Sequence, residues 1–321
     1  MPLSYNLSQS MTMSLNSTTA TSYWASSFIR AHNGIDYLAL AHVLDNFPGP
    51  NPTVYRGSLL SITNTSQYTP FEVFSSVSSV FTKSGIFNAS FPDFGFGVTS
   101  QTDPLGPMRM WCTIPGAEYD ITFEQSSPVL LNGALGMFTS NIGDSVHEWS
   151  MPAGKTTGTL TIDGKKVTID SQNSNTWYDR QFGGAPSTWT WFELHVTDPR
   201  TRKVIPMSVW VYPFEEAITG SFASVREANG VQKIVPVTTF TPSKRTWTSK
   251  ATNITYALDW TLGFADGTRL SISSKRDDQE LAAPGGVFPA YEGYIEGKGT
   301  YQDIAGASVY GVVEILALTS A

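Results

Sequence analysis

The chain has 321 residues, of which 40% are hydrophobic and only 15% charged, with a formal net charge of −7. So much apolar material excludes a disordered or fibrous chain and leaves room for a sizeable core. The absence of any block of Lys or Arg excludes a nucleic-acid or anionic-membrane partner, and no stretch approaches the ~18 consecutive apolar residues of a transmembrane helix.

In chain order, the opening Pro2-Leu3-Ser4-Tyr5-Asn6 lacks the basic and apolar regions of a signal peptide. A cytoplasmic protein is expected on that ground, unless a leader has been removed, in which case the secretory pathway or cell exterior follows. Five sequons, at Asn6, Asn16, Asn64, Asn88 and Asn253, tilt towards the second. Of these, Asn64, Asn88 and Asn253 are the candidate glycosylation sites. Trp24 stands ahead of a hairpin in which Asn33-Gly34 turns the chain into the strand Tyr37–Leu44, with His42 near its end. Residues 70–83 form the one plausible short helix of the first half. In the strand Arg109–Thr113, Arg109 and Trp111 share a face, and Cys112 points the other way as a small core hydrophobe. As the single cysteine, it excludes an intrachain disulfide.

Further on, Asp163-Gly164 joins Thr157–Ile162 to Lys166–Ile169. The strand Thr188–Val196 alternates sharply. Trp189, Trp191, Glu193 and His195 fall on one face, which reads as a pocket wall. Phe192, Leu194 and Val196 fall on the other, which reads as barrel wall packed outward or against a second domain. Ser208, Trp210 and Tyr212 share a face of Ile205–Tyr212. Ile254–Leu262 and Arg269–Ser273 flank a second Asp-Gly turn at Asp266-Gly267, echoing the first. Trp149, Trp247 and Trp260 are assigned to core or surface. Short strands punctuated by turns at roughly ten-residue spacing mean sandwich or barrel rather than βαβ units. The expected fold is therefore all-β, in two domains, 1–180 and 181–321, meeting near residues 170–190.

Nine Trp, eighteen Phe and thirteen Tyr make up 12% of the chain, many of them in polar surroundings that suit a ligand cavity. Nucleophile-elbow, phosphate-loop and dinucleotide motifs are missing. His147-Glu148 begins a zinc-binding pattern, but Met151 stands where its second His belongs. The four histidines lie far apart, so no metal and no cofactor are expected. Any chemistry must then come from side chains and from how a hydrophobic small molecule is held.

Residues 177–195 begin Trp177-Tyr178-Asp179-Arg180-Gln181-Phe182-Gly183 and end in the aromatic strand already described. This resembles the signature of the hydroxyneurosporene synthase and kievitone hydratase-like superfamily, in which a Trp-x-Asp-x-x-x-Gly turn precedes paired aromatics. Thr21–Trp24 with Gly34–His42, Gly158–Gly164, Pro289–Gly293 with Glu296-Gly297, and Tyr310–Glu314 resemble the family's other segments in order. The resemblance implies two lipocalin-like β-barrels with a ligand pocket at or near their junction.

Asp179, next to Arg180 in an otherwise aromatic stretch, either caps a turn or pairs with a buried Arg to pin the barrels together, or it is a buried acid whose desolvation lets it give up a proton near neutral pH. Asp179, His42 and Glu193 are the candidate catalytic groups. Trp24, Arg109, Trp111, Trp191, His195, Trp210, Tyr212 and Glu292 are the candidate substrate-binding groups. Three functions fit. The first is a cofactor-free pericyclase of fungal secondary metabolism, a Diels–Alderase or hetero-Diels–Alderase acting on a polyene or terpenoid and a reactive partner, with acid-assisted dehydration. This is the family branch the chain most resembles, including members that act in tropolonic sesquiterpenoid pathways. The second is a hydratase or dehydratase of an isoprenoid or isoflavonoid. The third is a non-catalytic carrier.

Overall fold

A computed structural model describes residues 5–13, 21–46, 53–76, 80–139, 145–184, 188–212, 220–283 and 288–317. Among these, the one α-helix is the single turn α1, Leu7–Ser10, capped by Asn6, whose side-chain oxygen accepts from the Gln9 amide. Everything else regular is strand. In chain order these are β1 (Thr21–Arg30), β2 (Asp36–Asp45), β3 (Thr53–Ser61), β4 (Tyr68–Ser75), β5 (Asn88–Ser90), β6 (Phe94–Val98), β7 (Met108–Cys112) and β8 (Tyr119–Glu124). There follow β9 (Leu130–Leu131), β10 (Met137–Thr139), β11 (Ser145–Ile162), β12 (Lys165–Thr168), β13 (Asn175–Gly183), β14 (Thr188–Thr197), β15 (Val204–Val211) and β16 (Phe222–Arg226). The last eight are β17 (Gln232–Pro242), β18 (Thr246–Thr248), β19 (Thr255–Ala257), β20 (Asp259–Phe264), β21 (Arg269–Ser274), β22 (Glu280–Leu281), β23 (Ala290–Tyr301) and β24 (Ile304–Ala317).

Two compact units result. One comprises Met1–Val129 with Ser145–Ala185, the other Leu130–Asp144 with Pro186–Ala321. In the first, ten antiparallel strands run β4-β3-β2-β1-β13-β11-β8-β7-β6-β5 and stay open as a half-barrel. In the second, β21-β20-β17-β16-β15-β14-β24-β23 closes on itself through the pairing of β23 with β21, giving an eight-stranded barrel. This is the all-β, lipocalin-like pair of units expected from the sequence.

The Asp-Gly turns sit where the alternation placed them. Asp163 and Gly164 both have positive φ, 50° and 73°, the geometry whose twist matches a tight hairpin between β11 and β12. The expected helix over 70–83 is wrong: Tyr68–Ser75 is β4, paired residue by residue with β3, and Phe81 bridges Phe87. Pairing with a strand already in place outweighs the local helical pattern of a short, Ser-rich segment.

Each unit packs one face of its sheet. In the first, Tyr23 stacks on Phe87 at 3.5 Å, Phe96 and Trp149 meet Tyr178, and Tyr55 stacks on Phe91 and Phe94. In the second, Phe192, Leu194, Val196, Met207, Val209, Val211, Leu262, Ile272 and Val313 fill the barrel interior. Each such side chain contributes about 1.5–3 kcal/mol of burial free energy. The face of β14 read as packed outward is therefore the one that fills the barrel, and the alternate face, with Trp191, Glu193 and His195, is the outer one.

Candidate active site

Period-two alternation puts the remaining side chains of each sheet opposite the packed interior. In the first unit, register builds a single rung across six neighbouring strands. Glu72 on β4 faces Arg56 on β3, Arg56 faces His42 on β2, and His42 faces Trp24 on β1. Trp24 in turn faces Asp179 on β13, and Asp179 faces Ser150 on β11. All six are buried.

The polar groups in this rung are wired to one another. The Arg56 Nε–H can only donate, and it donates to His42 Nδ1 at 3.1 Å. Nδ1 is therefore the lone-pair nitrogen, and Nε2 carries the hydrogen that bonds Ser22 Oγ at 2.9 Å. On its other side, Arg56 Nη1 lies 3.5 Å from Glu72 Oε1, with both side chains fully buried. A carboxylate, a guanidinium, an imidazole and a hydroxyl thus run in line and fix one tautomer of His42.

Asp179 occupies the other side of Trp24. The chain neighbour Arg180 belongs to the opposite face: it donates to Ser10 O at 2.7 Å and to Ser22 O at 3.2 Å, and lies over Tyr23 and Phe182. As adjacent residues of one strand, Asp179 and Arg180 point to opposite sides of the sheet.

The second unit carries a comparable face. Trp191 is flanked by Trp210 on β15 and by Glu314 on β24, and Glu314 faces Glu292 on β23. One step along, His195 Nε2 lies 2.7 Å from Glu193 Oε1, with both side chains buried. His195 stacks flat on Tyr310 at 4.7 Å. Desolvation pulls the His195 pKa down to about 3, so the ring is neutral at physiological pH. Trp191 Nε1 donates to Ser208 Oγ at 2.9 Å, and Tyr212 stacks on Trp210.

Of the residues singled out from sequence, Trp24, His42 and Asp179 come together in the first unit. Trp191, Glu193, His195, Trp210, Tyr212 and Glu292 come together in the second. Arg109 and Trp111 join neither group. They lie on β7, three strands along the sheet from β13, where Arg109 forms an exposed two-pronged ion pair with Asp120. Trp111 covers Gly95 so closely that a Cβ there would sit 2.2 Å from its indole nitrogen. Arg56, Glu72, Ser22 and Glu314 escaped the sequence reading. An Arg in a strand ordinarily marks a solvent face, and only register reveals that Arg56 stands beside His42.

The remaining assignments divide. Asn64 is exposed in the β3–β4 turn, where its Oδ1 accepts from Ser66 Oγ at 2.8 Å, and Asn253 is exposed with φ of 61°. Asn88 is half-buried within β5, and its Nδ2 donates to Val98 O at 2.8 Å, so the folded chain withholds the amide that a glycan would need. Asn6 caps α1, and Asn16 lies outside the described residues. Cys112 is buried, with its thiol pushed up to about 12 by desolvation. Trp149 and Trp260 are buried in the cores, and Trp247 packs against the second core.

A model of the AttH-like family matches residues 72–315 of this chain. A kievitone hydratase from Fusarium solani subsp. phaseoli is 32% identical over 98% of this chain and 86% of its own length. A dehydratase, asqC, from Emericella nidulans is 28% identical over 99% of this chain and 90% of its own length. The crystal structure of a kievitone hydratase from Nectria haematococca superposes with a TM-score of 0.84 at 34% identity, covering 98% of this chain and 93% of that one.

Proposed function

Because the chain belongs to the AttH-like family, we propose that it catalyses the addition or removal of water at a carbon–carbon double bond in a hydrophobic small molecule. The observation carrying this reading is the buried rung of Asp179, Trp24 and His42, backed by Arg56 and Glu72. Moving water across a double bond needs a group that exchanges a proton with carbon and another that steers water, both in a site that excludes bulk solvent. Asp179 is the proton donor in hydration. His42, with Nε2–H directed at Ser22 Oγ, is the group that orients water through that hydroxyl. Trp24 stands between them as the apolar wall against which the double bond lies. The hydratase and the dehydratase among its relatives support this reaction class.

A cofactor-free cycloaddition is the second reading. It is favoured by the aromatic face of the second unit, where Trp189, Trp191, Trp210 and Tyr212 form a continuous wall able to hold a polyene in one reactive pose. One experiment separates the two. The protein is incubated with a panel of prenylated isoflavonoids, polyenes and terpenoid alcohols in oxygen-18 water, and products are read by mass spectrometry beside Asp179→Asn. Label entering a product, or leaving a labelled alcohol, with activity lost in Asp179→Asn supports the hydro-lyase. Unlabelled isomeric adducts formed equally well by Asp179→Asn would overturn it in favour of cycloaddition.

A further inference from the structure

The outer face of β14 and β15 carries three indoles side by side, and their N–H groups have different fates. Trp191 stands opposite Trp210 in register, and the Trp189 and Trp210 rings lie 6.1 Å apart between centroids, with their planes at 49°. The Trp191 N–H donates to Ser208 Oγ at 2.9 Å. The N–H groups of Trp189 and Trp210 have no acceptor among the described residues, although only 6% of Trp189 and 3% of Trp210 is exposed. An indole nitrogen can only donate, so each of these groups needs an acceptor. A buried donor left unpaired forfeits its hydration with no return, and folded proteins carry few of them. Core packing does not call for these two. The barrel interior is filled from the alternate face of β14 and β15, and a Phe would cover the same apolar surface without stranding a donor.

We infer that Trp189 and Trp210 form a recognition site for an acceptor oxygen, the carbonyl of a flat conjugated molecule, and so decide which hydrophobic ligands the second unit accepts. This rests on the reading above that the protein holds a hydrophobic small molecule, and is indifferent to the reaction performed on it. A carbonyl oxygen offers two lone pairs in the plane of its group, enough for two N–H donors. The surroundings suit the rest of such a molecule. Tyr212 lies 5.9 Å from Trp210 and within 22° of parallel, and Phe138 lies 5.1 Å from Trp210 and 5.2 Å from Phe222. All of these residues belong to one unit, since Leu130–Asp144 groups with Pro186–Ala321. Their faces are flat apolar walls for a conjugated ring. A hydrocarbon would fill those walls and leave both donors stranded. The same asymmetry lets any site built around a buried polar group reject an analogue that lacks the matching partner.

The test is one of binding and needs no turnover. Xanthone, a planar tricyclic ketone, and xanthene, the same skeleton with a methylene in place of the carbonyl, are titrated against the full chain by equilibrium dialysis. The parent protein should bind xanthone about 10-fold more tightly than xanthene. Trp189→Phe and Trp210→Phe keep an aromatic ring without the donor, and each should erase most of that preference by weakening xanthone alone. Trp247→Phe, at a ring packed against the barrel core, should keep it. Ultraviolet resonance Raman difference spectra supply a readout that a merely structural role would not move. The N–H-sensitive indole band that is lost in Trp189→Phe and Trp210→Phe should shift in the parent on adding xanthone and stay in place on adding xanthene. Equal affinity for the two probes, no binding of xanthone, or a preference that survives both Phe substitutions overturns the inference. A carbonyl preference with no oxygen-18 exchange anywhere in the labelling panel would instead sink the hydro-lyase reading and leave this inference standing.

Discussion

Replacing Arg56 with Met tests whether the chain Glu72–Arg56–His42–Ser22 is wired as described. The change keeps much of the side-chain volume but strands two partners. Glu72 loses a guanidinium 3.5 Å away in a site with no solvent exposure on either side chain, and His42 Nδ1 loses its donor at 3.1 Å. At an effective dielectric of about 20, a charge pair at that distance is worth ~5 kcal/mol before desolvation is counted. Removing one member of such buried pairs costs about 3–5 kcal/mol, chiefly because the survivor is left without compensation. For a unit of this size that is a fall in melting temperature of roughly 6–20 °C. The assay is differential scanning calorimetry of Arg56→Met, Glu72→Met and the double variant. The double variant should recover much of the loss, since two apolar groups fill the space without a buried charge. A single variant within a degree or two of the parent, or a double variant as unstable as the two singles added, would refute the reasoning.

Two further outcomes are expected. His195 has its pKa lowered from 6.5 to about 3 by burial, so its contribution to stability is complete above pH 6.5 and falls away as the pH drops towards 3. His195→Gln should therefore show a shallower loss of stability over that window in chemical denaturation at stepped pH, and a parallel decline in both proteins would count against the assignment. In a eukaryotic secretory host, Asn64 and Asn253 should accept sugar and Asn88 should not, because folding commits the Asn88 amide to Val98 O; glycopeptide mass spectrometry finding full occupancy at Asn88 would show that glycosylation there outruns formation of β5.

Much of the strand pattern was legible because turn chemistry is local. Asp163-Gly164 supplies the two positive-φ residues a tight hairpin needs, and the flanking alternation declares its own period. Alternation also separated Trp191, Glu193 and His195 from Phe192, Leu194 and Val196. It could not say which set faces inward, since both faces of β14 are buried and the usual polar-out cue fails. The helix expected over 70–83 failed for the opposite reason: local pattern was trusted where pairing with β3 decides. Register is the part that no short stretch encodes. His42, Trp24 and Asp179 were each conspicuous, yet that they stand on one rung follows only from how β2, β1 and β13 align. Arg56 joins them by the same route.

The alignment of β1 with β13 also sets a clock. Thr21 pairs with Phe182 and Phe28 with Asn175, and Arg180 reaches back to the Ser10 carbonyl. The last partner of the first strand is thus among the last parts of its unit to be made. At ribosomal speeds of about 5–20 residues per second, the emerging β1–β4 meander waits roughly 5–20 s with one edge of β1 unpaired. The first unit is thus most open to wrong pairing during synthesis, at the strand that carries Trp24.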